Sequence, residues 1–232
     1  MITAVLLSGG TGTRLNMDIP KQYIEVNGKP LIHYAIKALV DNDEIEKIQV
    51  VAEDSWRALI KDEIISMDAV SKLLGFSNPG ANRQLSILNA LRDMDGVMKP
   101  NDYVIIQDAA RPMTSQDLYR RLIEGVKGHD GALPVIDVKD TMYMTDTEGR
   151  IASLLERDFI KAGQAPEIFI YGRYLEANEK LLADNSILGI RGSSEPAVMN
   201  GMDIITILGD EMNFKITTMA DLERFKELTG DN

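Results

Sequence analysis

An apolar run at the start of the chain leads directly into a glycine-rich turn. Residues 2–7 read Ile-Thr-Ala-Val-Leu-Leu, and residues 8–14 read Ser-Gly-Gly-Thr-Gly-Thr-Arg. A short apolar run that is closed by glycines predicts a buried strand that feeds a loop. Glycines also let the backbone approach a ligand closely and point N–H groups at phosphates. The chain therefore begins with a predicted sheet strand and a candidate phosphate-binding loop.

Strands and helices are predicted to alternate along most of the remaining chain. Further apolar runs predict strands over residues 48–52, 103–106, 132–136 and 203–208, and a weak one over 70–74. Apolar residues at helical spacing predict helices over 31–39, 55–65, 81–94, 118–126, 172–183 and 219–228. Such alternation implies βαβ units. We therefore predict a Rossmann-like α/β fold, in which a mostly parallel, twisted sheet has helices on both faces.

One segment breaks this alternation. Residues 140–144 and 151–155 are short β-like runs on either side of Asp-Thr-Glu-Gly at 146–149. Asp and Gly between two such runs predict a hairpin. An isolated hairpin is marginally stable, so this one needs a surface to pack against. We expect one domain over residues 1–232, with a protruding β-arm at about 137–158.

The composition excludes several classes of protein. The chain has no Cys, two His, and 36 acidic against 25 basic residues, which gives a net charge of −11. A disulfide scaffold, a thiolate zinc site and a Cys nucleophile are therefore excluded. A negative field disfavours binding to nucleic-acid polymers or to an anionic membrane surface. No apolar run reaches transmembrane length and no secretory signal is evident, so we expect a cytoplasmic protein.

Two basic residues lie close to the glycine-rich turn. Arg14 ends the turn, and Lys21 follows within Pro-Lys-Gln-Tyr at 20–23. A triphosphate needs cations at its phosphates, and negative charge grows on the leaving pyrophosphate during attack at the α-phosphorus. The turn is not a Walker loop, because no Gly-Lys-Ser/Thr follows. It matches the dinucleotide fingerprint only in part, because Leu15 stands at the third glycine position.

Two later segments add candidate ligand-binding residues. Asp108 and Arg111 follow the predicted strand at 103–106, at the edge where open α/β sheets bind ligands. An Asp at this edge can hold Mg²⁺ against phosphates. The helix predicted over 81–94 is preceded by Gly80, and its free N–H groups, with Arg83 and Ser86, could contact a base or a phosphate.

The order of these motifs resembles a known family. The chain carries Leu-x-Gly-Gly-x-Gly-x-Arg at 7–14, Pro-Lys-Gln-Tyr at 20–23, Gly-x-x-Arg-x-x-Ser at 80–86, Asp-Ala-Ala-Arg-Pro at 108–112, Lys-Asp-Thr at 139–141 and Asn-Phe-Lys-Ile-Thr at 213–217. This series is similar to that of the cytidylyltransferases acting on 2-C-methyl-D-erythritol 4-phosphate or ribitol 5-phosphate. The resemblance spans nearly the whole chain and implies a nucleotidyltransferase fold of the glycosyltransferase-A-like type.

The resemblance also implies roles for individual residues. The implied catalytic residues are Arg14, Lys21, Arg157 and Lys215. The implied nucleotide-binding residues are Leu7, Ser8, Gly9, Gly10, Gly12, Thr13, Gly80, Arg83 and Ser86. The implied substrate-binding residues are Asp108, Arg111, Thr141, Arg157 and Lys215, and Asp108 would also face Mg²⁺. The substrates would be CTP and an alditol phosphate. The arm would cross to a second subunit, which implies a homodimer.

Two segments depart from the family pattern. Ala165 and Glu167 stand in an element that usually reads Gln-Thr-Pro-Gln, and residues 193–196 read Ser-Ser-Glu-Pro in place of Thr-Asp-Glu/Asp-Ala. The nucleotide half is thus nearly intact, whereas the second-substrate half is altered. We therefore expect cytidylyl transfer, with ribitol 5-phosphate slightly preferred over 2-C-methyl-D-erythritol 4-phosphate. The open alternatives are another nucleotide, another phosphate or phosphonate acceptor, a nicotinamide-binding oxidoreductase, and a non-catalytic ligand-binding protein.

The proposed roles lead to one geometric prediction. Six basic side chains should converge on a single positive cleft inside this acidic protein: Arg14, Lys21, Arg83, Arg111, Arg157 and Lys215.

Overall fold

A computed structural model describes residues 1–10 and 19–230. Its strands are Ile2–Leu7 (β1), Glu25–Val26 (β2), Lys29–Pro30 (β3), Lys47–Val51 (β4), Leu73–Ser77 (β5), Tyr103–Asp108 (β6), Gly131–Asp137 (β7), Tyr143–Thr145 (β8), Ile151–Leu154 (β9), Lys161–Gly163 (β10), Glu167–Ile170 (β11) and Ile204–Leu208 (β12). Its α-helices are Leu31–Val40 (α1), Asp54–Ser66 (α2), Arg83–Asp93 (α3), Gln116–Gly125 (α4), Tyr171–Ala183 (α5), Glu195–Met199 (α6) and Met219–Thr229 (α7).

Within these residues, eight strands form the central sheet in the order β5-β4-β1-β6-β11-β7-β12, with β10 also paired to β7. The pairs β1–β4, β1–β6, β4–β5 and β7–β12 are parallel. Strand β11 pairs antiparallel with both β6 and β7, and β10 is antiparallel to β7. The predicted α/β fold with a mostly parallel sheet is therefore confirmed.

The sheet is covered on both faces because successive side chains of a strand point to opposite sides. Ala4 and Leu6 of β1 pack with buried residues of α1, α2 and α4. Val5, between them, packs with buried residues of α3, α5 and α6. All three side chains are fully buried. This burial on both faces explains why β1 is mostly apolar and lacks the alternation of polar and apolar residues that a half-exposed strand shows.

A smaller cluster positions the C-terminal part of the chain. Helix α7 begins at a capping box between Thr218 and Asp221. Its Phe225 packs edge-on against Tyr34 and shares a buried cluster with Ile216. The segment just before α7, which contains Lys215, is therefore fixed against the body of the protein.

The β-arm is present where the sequence predicted it. Strands β8 and β9 pair antiparallel, from Tyr143 opposite Leu154 to Thr145 opposite Ile151. The prediction for residues 70–74 was wrong in part, because 70–72 form a 3₁₀ turn before β5. Strands β10 and β11 and helix α6 were not predicted, since each has only three to five residues. In the described part of the chain, no helix has both the length and the apolar character needed to cross a membrane.

Candidate active site

A cavity of about 520 Å³ opens at the carboxyl edge of β1, β4 and β6. Most of the predicted nucleotide-binding residues that the structure describes line it, together with two of the predicted catalytic residues and the predicted metal ligand: Leu7, Gly9, Gly10, Gly80, Arg83, Ser86, Lys21, Lys215 and Asp108. Arg14, Gly12 and Thr13, which were also predicted to act here, lie outside the described residues. The cavity thus lies at the edge where α/β sheets bind ligands.

The start of the glycine-rich turn is held by residues from the Pro-Lys-Gln-Tyr motif. The amide of Gln22 donates hydrogen bonds to the carbonyl oxygens of Ser8 at 2.7 Å and Gly10 at 2.8 Å. The hydroxyls of Ser8 and Tyr23 are 2.8 Å apart, and the Tyr23 ring stacks on Trp56 with 4.0 Å between centroids. Ser8 is therefore buried and does not line the cavity. Gln22, which the sequence analysis gave no site role, fixes the backbone of residues 8–10, at the start of the glycine-rich turn.

At two positions of the cavity wall, neighbouring atoms leave no room for a side chain, so only glycine fits. A Cβ atom on Gly9 would lie 2.6 Å from Cγ of Pro79. A Cβ on Gly80 would lie 2.5 Å from Cβ of Leu85 and 2.8 Å from the Ser86 nitrogen. The Gly80 N–H donates to the Ser86 hydroxyl at 2.9 Å. These contacts hold the N-terminus of α3 tightly against the preceding loop.

Asp108 is the centre of a buried cluster of charges. Its Oδ1 lies 3.0 Å from Nη2 of Arg83, and its Oδ2 lies 2.9 Å from Nζ of Lys215. The Nε of Arg111 is 3.8 Å from Oδ2. Burial alone would raise the pKa of the Asp108 carboxyl, but the charges of Arg83, Lys215 and Arg111 hold it well below its usual range. Asp108 is therefore ionised at neutral pH.

Two basic side chains of this region, Lys21 and Arg111, are hydrogen-bonded to the C-terminal segment. Lys21 donates from Nζ to the carbonyl of Ile216 at 2.6 Å. Arg111 donates to the carbonyl of Asn213. The Asn213 side chain in turn accepts from Thr114 at 2.9 Å and donates to the carbonyl of Ala165 at 2.7 Å. The Asn-Phe-Lys-Ile-Thr motif therefore bridges three parts of the chain that surround Asp108.

Glu167 is a residue of this region whose importance the sequence analysis missed. Its side chain is buried, and burial raises its pKa to about 7 although the nearby Ser193 hydroxyl and the charges of Arg83 and Arg111 act to lower it. Its Oε2 atom and the Nε of Arg111 are both buried without a hydrogen-bond partner. The sequence signalled the position only as a departure from the family pattern, without indicating that the side chain is buried.

The structure brings together part of the predicted set of six cations. Lys21, Arg83 and Lys215 line the cavity, and Arg111 lies behind Asp108. Arg157 does not line this cavity in its own chain. It lines a separate cavity of about 630 Å³ at the base of the arm. There it donates to the carbonyl of Lys139 at 2.9 Å. Thr141 is exposed on the arm and does not line the first cavity.

The arrangement suits a polyanionic ligand. Cations on several sides of a cavity reduce the repulsion between phosphate groups, and glycines let the backbone approach them. Among residues 1–10 and 19–230, no group of three or more His, Cys, Asp or Glu side chains could hold a metal ion.

Comparisons with known proteins identify a family. The family model described as 2-C-methyl-D-erythritol 4-phosphate cytidylyltransferase (IspD) matches residues 2–228. The Clostridium beijerinckii protein of that name is 30% identical over 96% of this chain and 95% of its own length. The protein of that name from Rubrobacter xylanophilus is 33% identical over 94% of this chain and 90% of its own.

Solved structures give the same fold. The Francisella tularensis 2-C-methyl-D-erythritol 4-phosphate cytidylyltransferase superposes with a TM-score of 0.81 and 26% identity, over 97% of this chain and 98% of that one. A 4-diphosphocytidyl-2C-methyl-D-erythritol synthase from Anaerococcus prevotii superposes with a TM-score of 0.83 at 21% identity, over 99% of this chain and 98% of that one.

Proposed function

The chain belongs to the 2-C-methyl-D-erythritol 4-phosphate cytidylyltransferase family, and we propose that it transfers CMP from CTP to 2-C-methyl-D-erythritol 4-phosphate. The observation that carries the proposal is the convergence of Lys21, Arg83 and Lys215 with Asp108 around one cavity beside the glycine-rich turn. The family model and the relatives name this acceptor, so they give no support to the expected preference for ribitol 5-phosphate.

The reaction exchanges one phosphoanhydride bond for another. An oxygen of the acceptor phosphate forms a bond to the α-phosphorus of CTP, and the bond from that phosphorus to the bridging oxygen breaks. The electron pair leaves with pyrophosphate. Lys21 and Lys215 reduce the repulsion between the two anions and stabilise the leaving charge, while the cavity holds the reactants in line. The attacking phosphate is already ionised, so no general base is needed.

Asp108 would hold Mg²⁺ in this enzyme. Mg²⁺ commonly binds through one or two carboxylates together with substrate phosphates and waters. The ionised Asp108 carboxylate lines the cavity, so it fits that role. When bound, the ion would shield the triphosphate charge. The carboxylate itself also orients Arg83 and Lys215, which it contacts directly.

We further propose that the protein is a single domain that acts as a homodimer, with the arm over residues 137–158 as the dimer contact. Several large apolar side chains on or beside the arm are exposed in the single chain: Tyr143, Met144, Ile151, Leu154 and Phe159. Several exposed large apolar side chains within one short segment are typical of an interaction site. The arm would bring Thr141 and Arg157 to the cavity of the partner, where they would bind the acceptor phosphate. Sedimentation velocity tests this, and a monomer at all concentrations would refute it.

The central experiment is a substrate panel. Pyrophosphate release is measured with CTP and Mg²⁺ and with 2-C-methyl-D-erythritol 4-phosphate, ribitol 5-phosphate, glycerol 3-phosphate or an aminoalkyl phosphonate. We expect the first acceptor to be used best. Ribitol 5-phosphate is the second candidate, because Ala165, Glu167 and Ser193 alter the second-substrate half of the family pattern.

A parallel panel with UTP, GTP and ATP tests the nucleotide. The expected result is release of pyrophosphate with CTP only. Folded protein that releases no pyrophosphate with any pair of substrates would overturn the proposal.

A further inference from the structure

A second buried carboxyl group lies behind the cavity wall. Glu167 is the first residue of β11, where it pairs with Ile106 of β6, two residues before Asp108. Only 8% of Glu167 is exposed, and its Oε2 has no hydrogen-bond partner. Such an atom is costly to bury, since buried carboxylates are normally fully hydrogen-bonded. The reaction scheme above gives this group no role.

The groups that face Glu167 come from four elements. Arg83 approaches from α3, Arg111 and Asp108 from the end of β6 and the loop after it, Tyr174 from α5, and Ser193 from the loop before α6. The negative charge of Glu167 acts on both guanidinium groups and favours their charged forms. Glu167 is thus electrostatically coupled to the same cations that Asp108 contacts.

Neither arginine depends on Glu167 for its position. Arg83 donates to Oδ1 of Asp108 from Nη2 at 3.0 Å, and Arg111 is held by the carbonyl of Asn213. The main effect of Glu167 is therefore on the electrostatic potential that these arginines and Lys215 produce in the cavity. With Arg83, Arg111 and Lys215 opposed only by Asp108, the cluster would have a net charge of +2. An ionised Glu167 lowers that charge to +1.

We propose that Glu167 tunes the affinity of the cavity for phosphate groups, because its buried charge offsets part of the attraction that Arg83 and Arg111 exert. This inference rests on the proposed nucleotidyl transfer. Binding that is equally tight in every state lowers KM but does not raise kcat, and it delays the departure of pyrophosphate. Glu167 acts in this scheme through its charge on the arginines and does not touch the substrate.

The test is Glu167→Gln, which removes the charge and keeps the shape. Binding of inorganic pyrophosphate is measured by isothermal titration calorimetry in metal-free buffer at pH 8. We expect the variant to bind pyrophosphate about tenfold more tightly, since a buried charge that acts on two guanidinium groups is poorly screened. We also expect KM for CTP and kcat to fall together. Unchanged or weaker pyrophosphate binding by the folded variant would overturn the proposal.

Two further variants keep the interpretation clear. Glu227→Gln removes one charge from the exposed face of α7, and it should leave pyrophosphate affinity unchanged. A matching rise in affinity there would show a general charge effect and refute a local one. Glu167→Asp retains the charge and should retain the affinity of the unaltered protein. If the unaltered protein binds neither pyrophosphate nor CTP, the proposed function itself fails, which is a different outcome from equal binding by both proteins.

Discussion

The cavity at the sheet edge would bind the nucleotide and the β-arm would bind the acceptor, but the side chains of the two regions differ in exposure. In the cavity, Ser8 and Asp108 are 3% and 7% exposed and are held by hydrogen bonds and ion pairs within the chain. On the arm, Ile151 and Leu154 are 66% and 65% exposed. The difference fits the proposed dimer, in which one chain supplies the nucleotide half and the arm of a second subunit completes the acceptor half.

Loss of a cation from the cavity should have the largest effect. Lys215→Ala removes the ammonium group 2.9 Å from Asp108 and should lower kcat/KM for CTP by about 100- to 1000-fold. Its side chain is half-exposed, so the fold should persist. Steady-state kinetics and circular dichroism check both points, with Lys226→Ala on α7 as the control. A folded Lys215→Ala enzyme with full activity would show that the cavity is not the reaction site.

Mixing two inactive variants tests whether the halves come from different chains. Arg157→Ala and Lys215→Ala, unfolded together and refolded, should regain about a quarter of the original activity, because half the dimers are mixed and each has one intact site. The arm variant by itself should be nearly inactive. If both halves of the site came from one chain, the mixture would remain as inactive as its components.

Truncation of an apolar side chain should lower the free energy of unfolding much more in the sheet than on the arm. Ile105→Ala in β6 should cost about 2–5 kcal/mol in the free energy of unfolding, because the side chain is fully buried. Ile151→Ala on the arm should change it by about 0.5 kcal/mol or less at dilutions where the protein is monomeric. Urea denaturation measures both values. At higher concentration, Ile151→Ala should weaken the dimer. Equal losses of stability at Ile105 and Ile151 would contradict the conclusion that the arm is not packed within a single chain.

The smallest effect concerns pH. The pKa of Glu167 is raised from 4.5 to about 7 by burial, so the folded state keeps this proton when the unfolded state has lost it. Stability should therefore fall as pH rises from about 4.5 to 7 and then level off, by about 3 kcal/mol at most. Glu167→Gln should remove this decline. Denaturation of both proteins at several pH values measures the difference, and parallel curves would contradict the assignment.

Sequence patterns predicted the elements whose cause is local. Strand β1 was predicted at its observed bounds, because it is buried on both faces and closed by glycines. Asp108 was predicted at the ligand-binding edge, because it ends an apolar strand. Strand β11 was not predicted, since its four residues are ordered by pairing with β6 and β7. The burial of Glu167 and the role of Gln22 follow from contacts with distant parts of the chain, which no local pattern encodes.

The stack of Tyr23 on Trp56 has a spectroscopic consequence. Trp56 is the one tryptophan in the sequence, and its partner ring is joined through its hydroxyl to Ser8 at the start of the glycine-rich turn. The indole emission therefore reports the state of one defined place in the molecule. A nucleotide that shifts this turn should change the emission intensity or wavelength, so the protein carries its own optical probe of occupancy and needs no attached dye.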